Sequence, residues 1–370
     1  MPPIEVETAD QLRTVLASGR SLHGLRFQDL DLTVCESQLL ARGDLRGLVV
    51  LGGQCSQRLE VHLRSHGAFV FAEDPSLPID TYRAHLYTYR DLYAGLPDRG
   101  YPTTPDARAY AWFKDPSVAQ DAYITLQRAI HDDGISDALR EFADGRLIVG
   151  IMGGHAVARG TTEYADTARL ARDLANRGLG IATGGGPGAM EAANLGALQR
   201  DSAQLDLALT ELAKVPDFRP SIDAWAKVAW QLRDRWGDAV DEAASLGIPT
   251  WFYGHEPPNL FAGMIAKFFS NALREDLLLQ VCTGGIIVMP GAAGTVQEIF
   301  QAVTPRYYAS PDVPLSPLVL VGRRQWTTDV PVWPALQALG QGSPLGPVVH
   351  LVDSPAEAIA VIAQAVEAAS

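Results

Sequence analysis

The sequence predicts a doubly wound α/β layer on a parallel sheet, with an additional α+β region at its amino end. Three observations carry that prediction. From about Arg146 onward, apolar runs of strand length alternate with stretches of helical periodicity. Glycine clusters follow three of those runs, at Gly150-Ile151-Met152-Gly153-Gly154, at Gly184-Gly185-Gly186-Pro187-Gly188 and at Pro290-Gly291-Ala292-Ala293-Gly294. Two of the clusters run straight into what reads as a helix, the arrangement by which an open parallel sheet presents loops at the carboxyl ends of its strands. The chain is therefore divided into residues 1–144, of unassigned role, and residues 145–370, the α/β layer.

In the amino-terminal part, Leu22-His23-Gly24-Leu25 is echoed by Leu45-Arg46-Gly47-Leu48, each leading into apolar residues, and two copies leave stacked strands or loops open. Tyr82 to Tyr93 reads as an aromatic helix, its tyrosines suited to core, interface or a base pocket. A helical stretch, Ser117 to Ala143, follows. The α/β layer then begins with the strand Leu147-Ile148-Val149. A helix over Tyr164 to Arg177, stopped by Gly178 and Gly180, leads to the strand Ile181-Ala182-Thr183. Ile222 to Ala244 reads as one or two helices whose Trp225, Trp230 and Trp236 suit a core better than a lid. Strands over Gly285 to Met289, Leu318 to Gly322 and Val348 to Val352 follow. The last precedes Asp353-Ser354-Pro355-Ala356-Glu357, a capped start for an alanine-rich terminal helix.

Composition removes several function classes. A formal net charge of −13 disfavours nucleic acid and anionic membrane as partners, because both need basic patches. Cys35, Cys55 and Cys282 show no metal or disulfide spacing, and the amino terminus from Met1 lacks a basic stretch followed by an apolar one, so a cytoplasmic protein is the default expectation. His62 and His66 have ligand spacing on a helix but no cysteine or carboxylate cluster nearby, so no metal is expected. No GxxxxGK[ST] or GxGxxG pattern is present and none of the four lysines lies in a glycine loop, which disfavours triphosphate hydrolysis and hydride transfer.

A glycine turn that opens a helix places unpaired amides and a positive dipole end against an anion. Glu298, in the first helical turn and four residues after Gly294, reads either as an acid favoured by that dipole or as a carboxylate beside a bound phosphate. A carboxylate next to a phosphoribosyl group suits glycosidic chemistry, where an oxocarbenium-like centre needs negative charge and water needs a base. Arg274, in Asn271-Ala272-Leu273-Arg274-Glu275, reads either as a clamp for phosphate or leaving base, or as a helix-surface arginine paired with an acid.

The turn Gly184 to Glu191 together with Pro290-Gly291-Ala292-Ala293-Gly294-Thr295-Val296-Gln297-Glu298 resembles the paired signatures of the LONELY GUY (LOG) family, GGGxxGxM and PGGxGTxxE. Glu256-Pro257-Pro258-Asn259 resembles a segment of its larger bacterial members, the nucleotide 5'-monophosphate nucleosidases. The likeness covers about Arg146 to Ser370. It does not extend to the lysine decarboxylase label such proteins often carry, since no pyridoxal-phosphate lysine is evident. The resemblance implies a Rossmann-like fold, a homodimer or dimer-based oligomer, and hydrolysis of a nucleoside 5'-monophosphate to free base and ribose 5-phosphate, without a cofactor.

Carried over, Gly291, Gly294 and Thr295 hold the 5'-phosphate, Glu298 contacts ribose and activates water or stabilises the oxocarbenium ion, and Arg274 is the second catalytic residue. Gly184, Gly185, Gly186, Gly188 and Met190 shape the opposing wall, Glu191 is a possible ribose ligand, and Gly153 and Gly154 belong to the same edge. The chain departs from the pattern in three ways. Ala292 replaces the second glycine, the interval from Arg274 to Glu298 is one residue longer, with Thr283-Gly284-Gly285 as its expected place, and the stretch from Met190 to Arg274 is long. These departures keep two alternatives in view: a non-catalytic nucleotide or molybdenum-cofactor binding protein of the same fold, and a regulatory partner acting through residues 1–144.

Overall fold

The structure, a computed structural model, describes residues 5–253, 256–310 and 312–369, so the reading of Met1 to Ile4 lies outside the described residues. The chain clusters into two compact units, Met1–Leu86 with Lys114–Ala138 and Tyr87–Phe113 with Leu139–Ser370. The second unit thus takes in residues that a single cut at 144 assigns to the amino-terminal part. The reason is local pairing. Tyr87 and Ile265 exchange backbone hydrogen bonds of 2.8 Å, and Asp106 accepts from Lys267 and from the Trp251 indole.

In the first unit, β1 (Glu5–Val6), β2 (Arg26–Gln28), β3 (Val49–Leu51) and β4 (Phe69–Phe71) lie side by side in chain order, all parallel. α1 (Ala9–Ala17), α2 (Glu36–Leu40) and α3 (Gln57–Ser65) make the crossovers. The sequence echo is the register of this sheet: Arg26 pairs with Val49, the same interval that separates Leu22 from Leu45. A third copy, His66-Gly67-Ala68, precedes β4. Gly24, Gly47 and Gly67 each turn the chain two residues before a strand, with φ of 73°, 77° and 84°, a region that favours glycine. Leu22, Leu25 and Phe27 of one coil and Leu45, Leu48 and Val50 of the next stack in the buried core, so each coil buries its apolar face against its neighbour.

In the second unit, only α4 (Tyr89–Leu92) of the expected aromatic helix forms, followed by α5 (Leu96–Arg99) and α6 (Pro105–Lys114). Tyr82, of the first unit, and Tyr87, Tyr89 and Tyr93 are all buried. α7 (Ala122–Ala143) begins in the first unit and ends in the second. The α/β layer then runs β5 (Ile148–Met152), α8 (Thr162–Ala175), β6 (Gly180–Thr183), α9 (Ala189–Leu198), α10 (Ser202–Leu212), α11 (Ile222–Trp236), β7 (Ser245–Gly247) and β8 (Met264–Ile265). It returns through α12 (Asn271–Gln280), β9 (Gly285–Val288), α13 (Ala293–Tyr307), β10 (Leu318–Val321), α14 (Trp333–Gly340), β11 (Val349–Val352) and α15 (Pro355–Ala369). Sheet order is β11-β10-β9-β5-β6-β7-β8 with every pair parallel, a Rossmann-like doubly wound layer.

The chain steps outward from β5 to β8 and then returns to the other side of β5 at β9, so the strand order reverses between β5 and β9. A crevice opens at such a switch point, outside the carboxyl ends of the strands. One face of the sheet buries Val149, Ile151, Ile181, Ile287 and Val319 against Leu170, Leu174, Ala193, Ala197 and Ile362 from α8, α9 and α15. α8 and α9 approach so closely that a Cβ on Gly196 would stand 1.8 Å from the Ala168 carbonyl oxygen, which explains the glycine in that helix. Trp225 is buried, while Trp230 and Trp236 are half-buried. Among the described residues no helix is long and apolar enough to cross a membrane.

Candidate functional site

The first and third glycine clusters leave β5 and β9, the two strands flanking the switch point, and the second leaves β6 beside them. Gly154 joins all three: its N–H donates to the Pro290 carbonyl at 3.1 Å and its carbonyl accepts from Ala189 N–H, at the start of α9, also at 3.1 Å. The approach leaves no room for side chains. A Cβ on Gly188, at φ 73°, would lie 2.5 Å from the Gly154 oxygen, and one on Gly153 would lie 2.9 Å from the Ala189 Cβ.

The second turn is built on a buried polar network. Thr183 Oγ1 accepts from Gly185 N–H at 2.9 Å and donates to Asn194 Oδ1 at 2.7 Å. Asn259 Nδ2 donates to the Gly186 carbonyl at 3.1 Å and to Asn194 Oδ1 at 2.9 Å, while its own N–H donates to the Gly185 carbonyl at 2.8 Å. Asn259 Oδ1 accepts from Phe261 and Ala262 N–H, so the side chain is fully used. Asn259→Ala is expected to cost about 1–3 kcal/mol of stability per group left unpaired and to weaken ligand binding with it. Denaturant unfolding alongside calorimetric titration checks this, and unchanged values for both would show that the network does not shape the turn.

The third turn places Gly291 against Thr295, where a Cβ would stand 2.2 Å from Thr295 Oγ1, and Gln325 Nε2 holds the Gly291 carbonyl at 3.0 Å. Ala292 caps α13 with φ −116° and is exposed, and backbone with negative φ accepts an L residue without strain. Gly294 likewise faces open space. α13 starts at Ala293, which puts Glu298 in the second helical turn and not the first.

Arg274 is buried rather than on a helix surface. Its Nε donates to the Ile248 carbonyl at 2.7 Å, Nη2 to the Gly184 carbonyl at 3.1 Å and Nη1 to Glu275 at 3.0 Å. The longer interval to Glu298 therefore does not turn it away, and Gly285, at φ 123°, is the first residue of β9. Arg274 is close enough to Glu298 to favour its ionised form, yet burial dominates and pushes the Glu298 carboxyl up to about 7. The Glu275 charge opposes Arg274, which explains why the arginine does not prevail.

Glu191 departs from the expectation of a ribose ligand. It is fully buried and paired with Arg159, whose Nε donates to it at 2.9 Å and whose guanidinium lies over the Trp225 ring at 4.5 Å. The Met190 thioether lies against the Gly184 and Gly186 positions. Near Gly186 stands Glu256, 3.5 Å from His155 Nδ1, on the segment that the sequence singled out. Arg159, Thr183, Asn194 and Gln325 carried no sequence signal, because their roles are to hold backbone in place. His62 Nε2 and His66 Nδ1 donate to the backbone carbonyls of Arg42 and His62, and no group of three ligating side chains occurs among the described residues. Burial pushes the Cys282 thiol up to about 12, which removes it as a nucleophile.

No protein-family model matches the sequence, and no curated protein matches it. Among solved structures, the molybdenum cofactor binding protein from the phototrophic bacterium Rippkaea orientalis is similar over 60% of this chain and 99% of its own, at 17% identity and a TM-score of 0.37. The molybdenum cofactor carrier protein from Chlamydomonas reinhardtii is similar over 60% of this chain and 99% of its own, at 15% identity and a TM-score of 0.31. Likenesses this distant carry no functional argument, and the α/β class rests on the chain's own sheet order.

Proposed function

We propose that this chain is a phosphoribohydrolase that cleaves the N-glycosidic bond of a nucleoside 5'-monophosphate. The observation that carries the reading is Glu298, a carboxyl pushed up to about 7 beside Arg274, on the helix that opens from a glycine turn at the switch point. The α13 amino terminus, with Gly291, Gly294 and Thr295, receives the 5'-phosphate through backbone amides and a hydroxyl. Gly184, Gly185, Gly186 and Gly188 form the wall opposite, and Gly153 and Gly154 close the floor. The Glu298 carboxylate then lies toward the ribose. It takes a proton from water as the water oxygen bonds to the anomeric carbon, and the C–N electrons leave with the base, which takes its proton from solvent on departure. A base with a pKa near neutral is matched to that task. Arg274, with two N–H groups beyond the three already bonded, orients the phosphate or the departing base.

The test is incubation of the purified chain with a panel of nucleoside 5'-monophosphates, cytokinin nucleotides included, with chromatography for free base and an assay for ribose 5-phosphate. Equimolar release of both products from one nucleotide is the expected result. Thermal stabilisation by a nucleotide with no release from any of them would replace the hydrolase by a binding protein.

A further inference from the structure

Beyond β7, at the same edge as the glycine turns, the chain exposes two adjacent aromatic rings. Phe252 is 49% and Tyr253 44% exposed, and the rings meet edge to face with centroids 5.3 Å apart. Exposed aromatic surface of this size forfeits burial and signals a surface that meets something. The backbone beneath is fixed. Phe252 N–H donates to Thr250 Oγ1 at 3.0 Å, Thr250 Oγ1 donates to the Phe268 carbonyl at 3.0 Å, and buried Trp251 stacks on Phe269 at 4.5 Å. The pair is also wired to the candidate site. Tyr253 Oη accepts from Asn271 Nδ2 at 3.2 Å, Asn271 Nδ2 also donates to Glu275 at 3.3 Å, and Glu275 pairs with Arg274. Behind the platform, Asn271 Oδ1 and Glu275 Oε2 are buried acceptors with no hydrogen-bond partner.

We propose that Phe252 and Tyr253 form the aromatic platform for the planar base of the ligand, one ring stacking on its face and the other, at a right angle, meeting its edge, while the glycine turns hold its sugar phosphate. The inference rests on the nucleotide reading above. A base fits this surface because every nucleobase has a π-face to stack. A rigid aromatic pair spends little conformational entropy on the contact. Base preference then resides in the segment after β7, apart from the residues that act on the glycosidic bond.

The experiment is calorimetric titration of the full chain with adenosine, guanosine, cytidine and uridine 5'-monophosphates and with ribose 5-phosphate, which lacks a base. In Tyr253→Ala and Phe252→Ala, the tightest nucleotide is expected to bind about tenfold more weakly. Tyr253→Phe keeps the ring and stays within about twofold, and ribose 5-phosphate affinity is unchanged in all variants. Equal losses for ribose 5-phosphate, or no loss for the nucleotide, would overturn the platform. Nucleotide binding that depends on Tyr253 without base release would leave the platform standing and remove the hydrolase reading. Base release from a protein indifferent to both substitutions would do the reverse, and no binding of any nucleotide would remove both.

Discussion

Glu298→Gln is expected to lower turnover of the preferred nucleotide by at least about 10²-fold while leaving its affinity within roughly tenfold. The amide keeps the shape and loses the charge that the oxocarbenium-like centre and the attacking water require. In the parent chain, kcat/KM should rise with pH through the Glu298 value of about 7, since the ionised form is the base. The variant should lack that limb. Stability follows the opposite sign. Because the folded value lies above the ordinary 4.5, folding favours the protonated carboxyl, and that contribution is complete below 4.5 and lost as pH rises through about 7. The glutamine variant should therefore gain stability on the parent above neutrality and not in acid. Equal turnover by the two proteins would end the proposed role of Glu298.

Replacing Glu191 by alanine should have the largest effect on stability. Glu191 and Arg159 are buried together, and the alanine leaves a guanidinium inside the layer with no counter-charge. Losing one partner of a buried pair costs about 3–5 kcal/mol, whereas replacing both by apolar residues of similar volume is expected to recover much of the loss. Urea unfolding of Glu191→Ala and of Arg159→Met with Glu191→Leu measures this. A Glu191→Ala protein of full stability that binds nucleotide weakly would return Glu191 to the role of ribose ligand.

The sequence disclosed the α/β layer because its strands are long apolar runs with glycine punctuation, and the β5, β6 and β9 loops fall where those glycines stand. β7 and β8 escaped, being three and two residues long and wholly or mostly buried, so they carry no alternation to read. The first unit was half legible. Its echo is real, but the third copy replaces leucine by Ala68 and closes a shorter coil, which hides it from pattern matching. At the site, Glu298 and Arg274 stood out by charge near a glycine turn, and their proximity needed the fold. Glu191 misled because a carboxylate after a glycine turn looks the same whether it faces a ligand or an arginine far along the chain. Asn194 was silent, since an amide that ties backbone together carries no spacing of its own, and Asn259 entered only as the last residue of the segment from Glu256.

Gly154 spends both its backbone groups on its neighbours, one on each of the other glycine turns. The three turns are consequently tied together through a single residue. Their ordering is completed when the sheet folds, so a ligand arriving at this edge meets a cradle that costs it no further entropy. The same linkage works in reverse. A disturbance that unseats the Gly154 turn breaks its bonds to both of the others, and the joined site is then lost before the sheet beneath it unfolds.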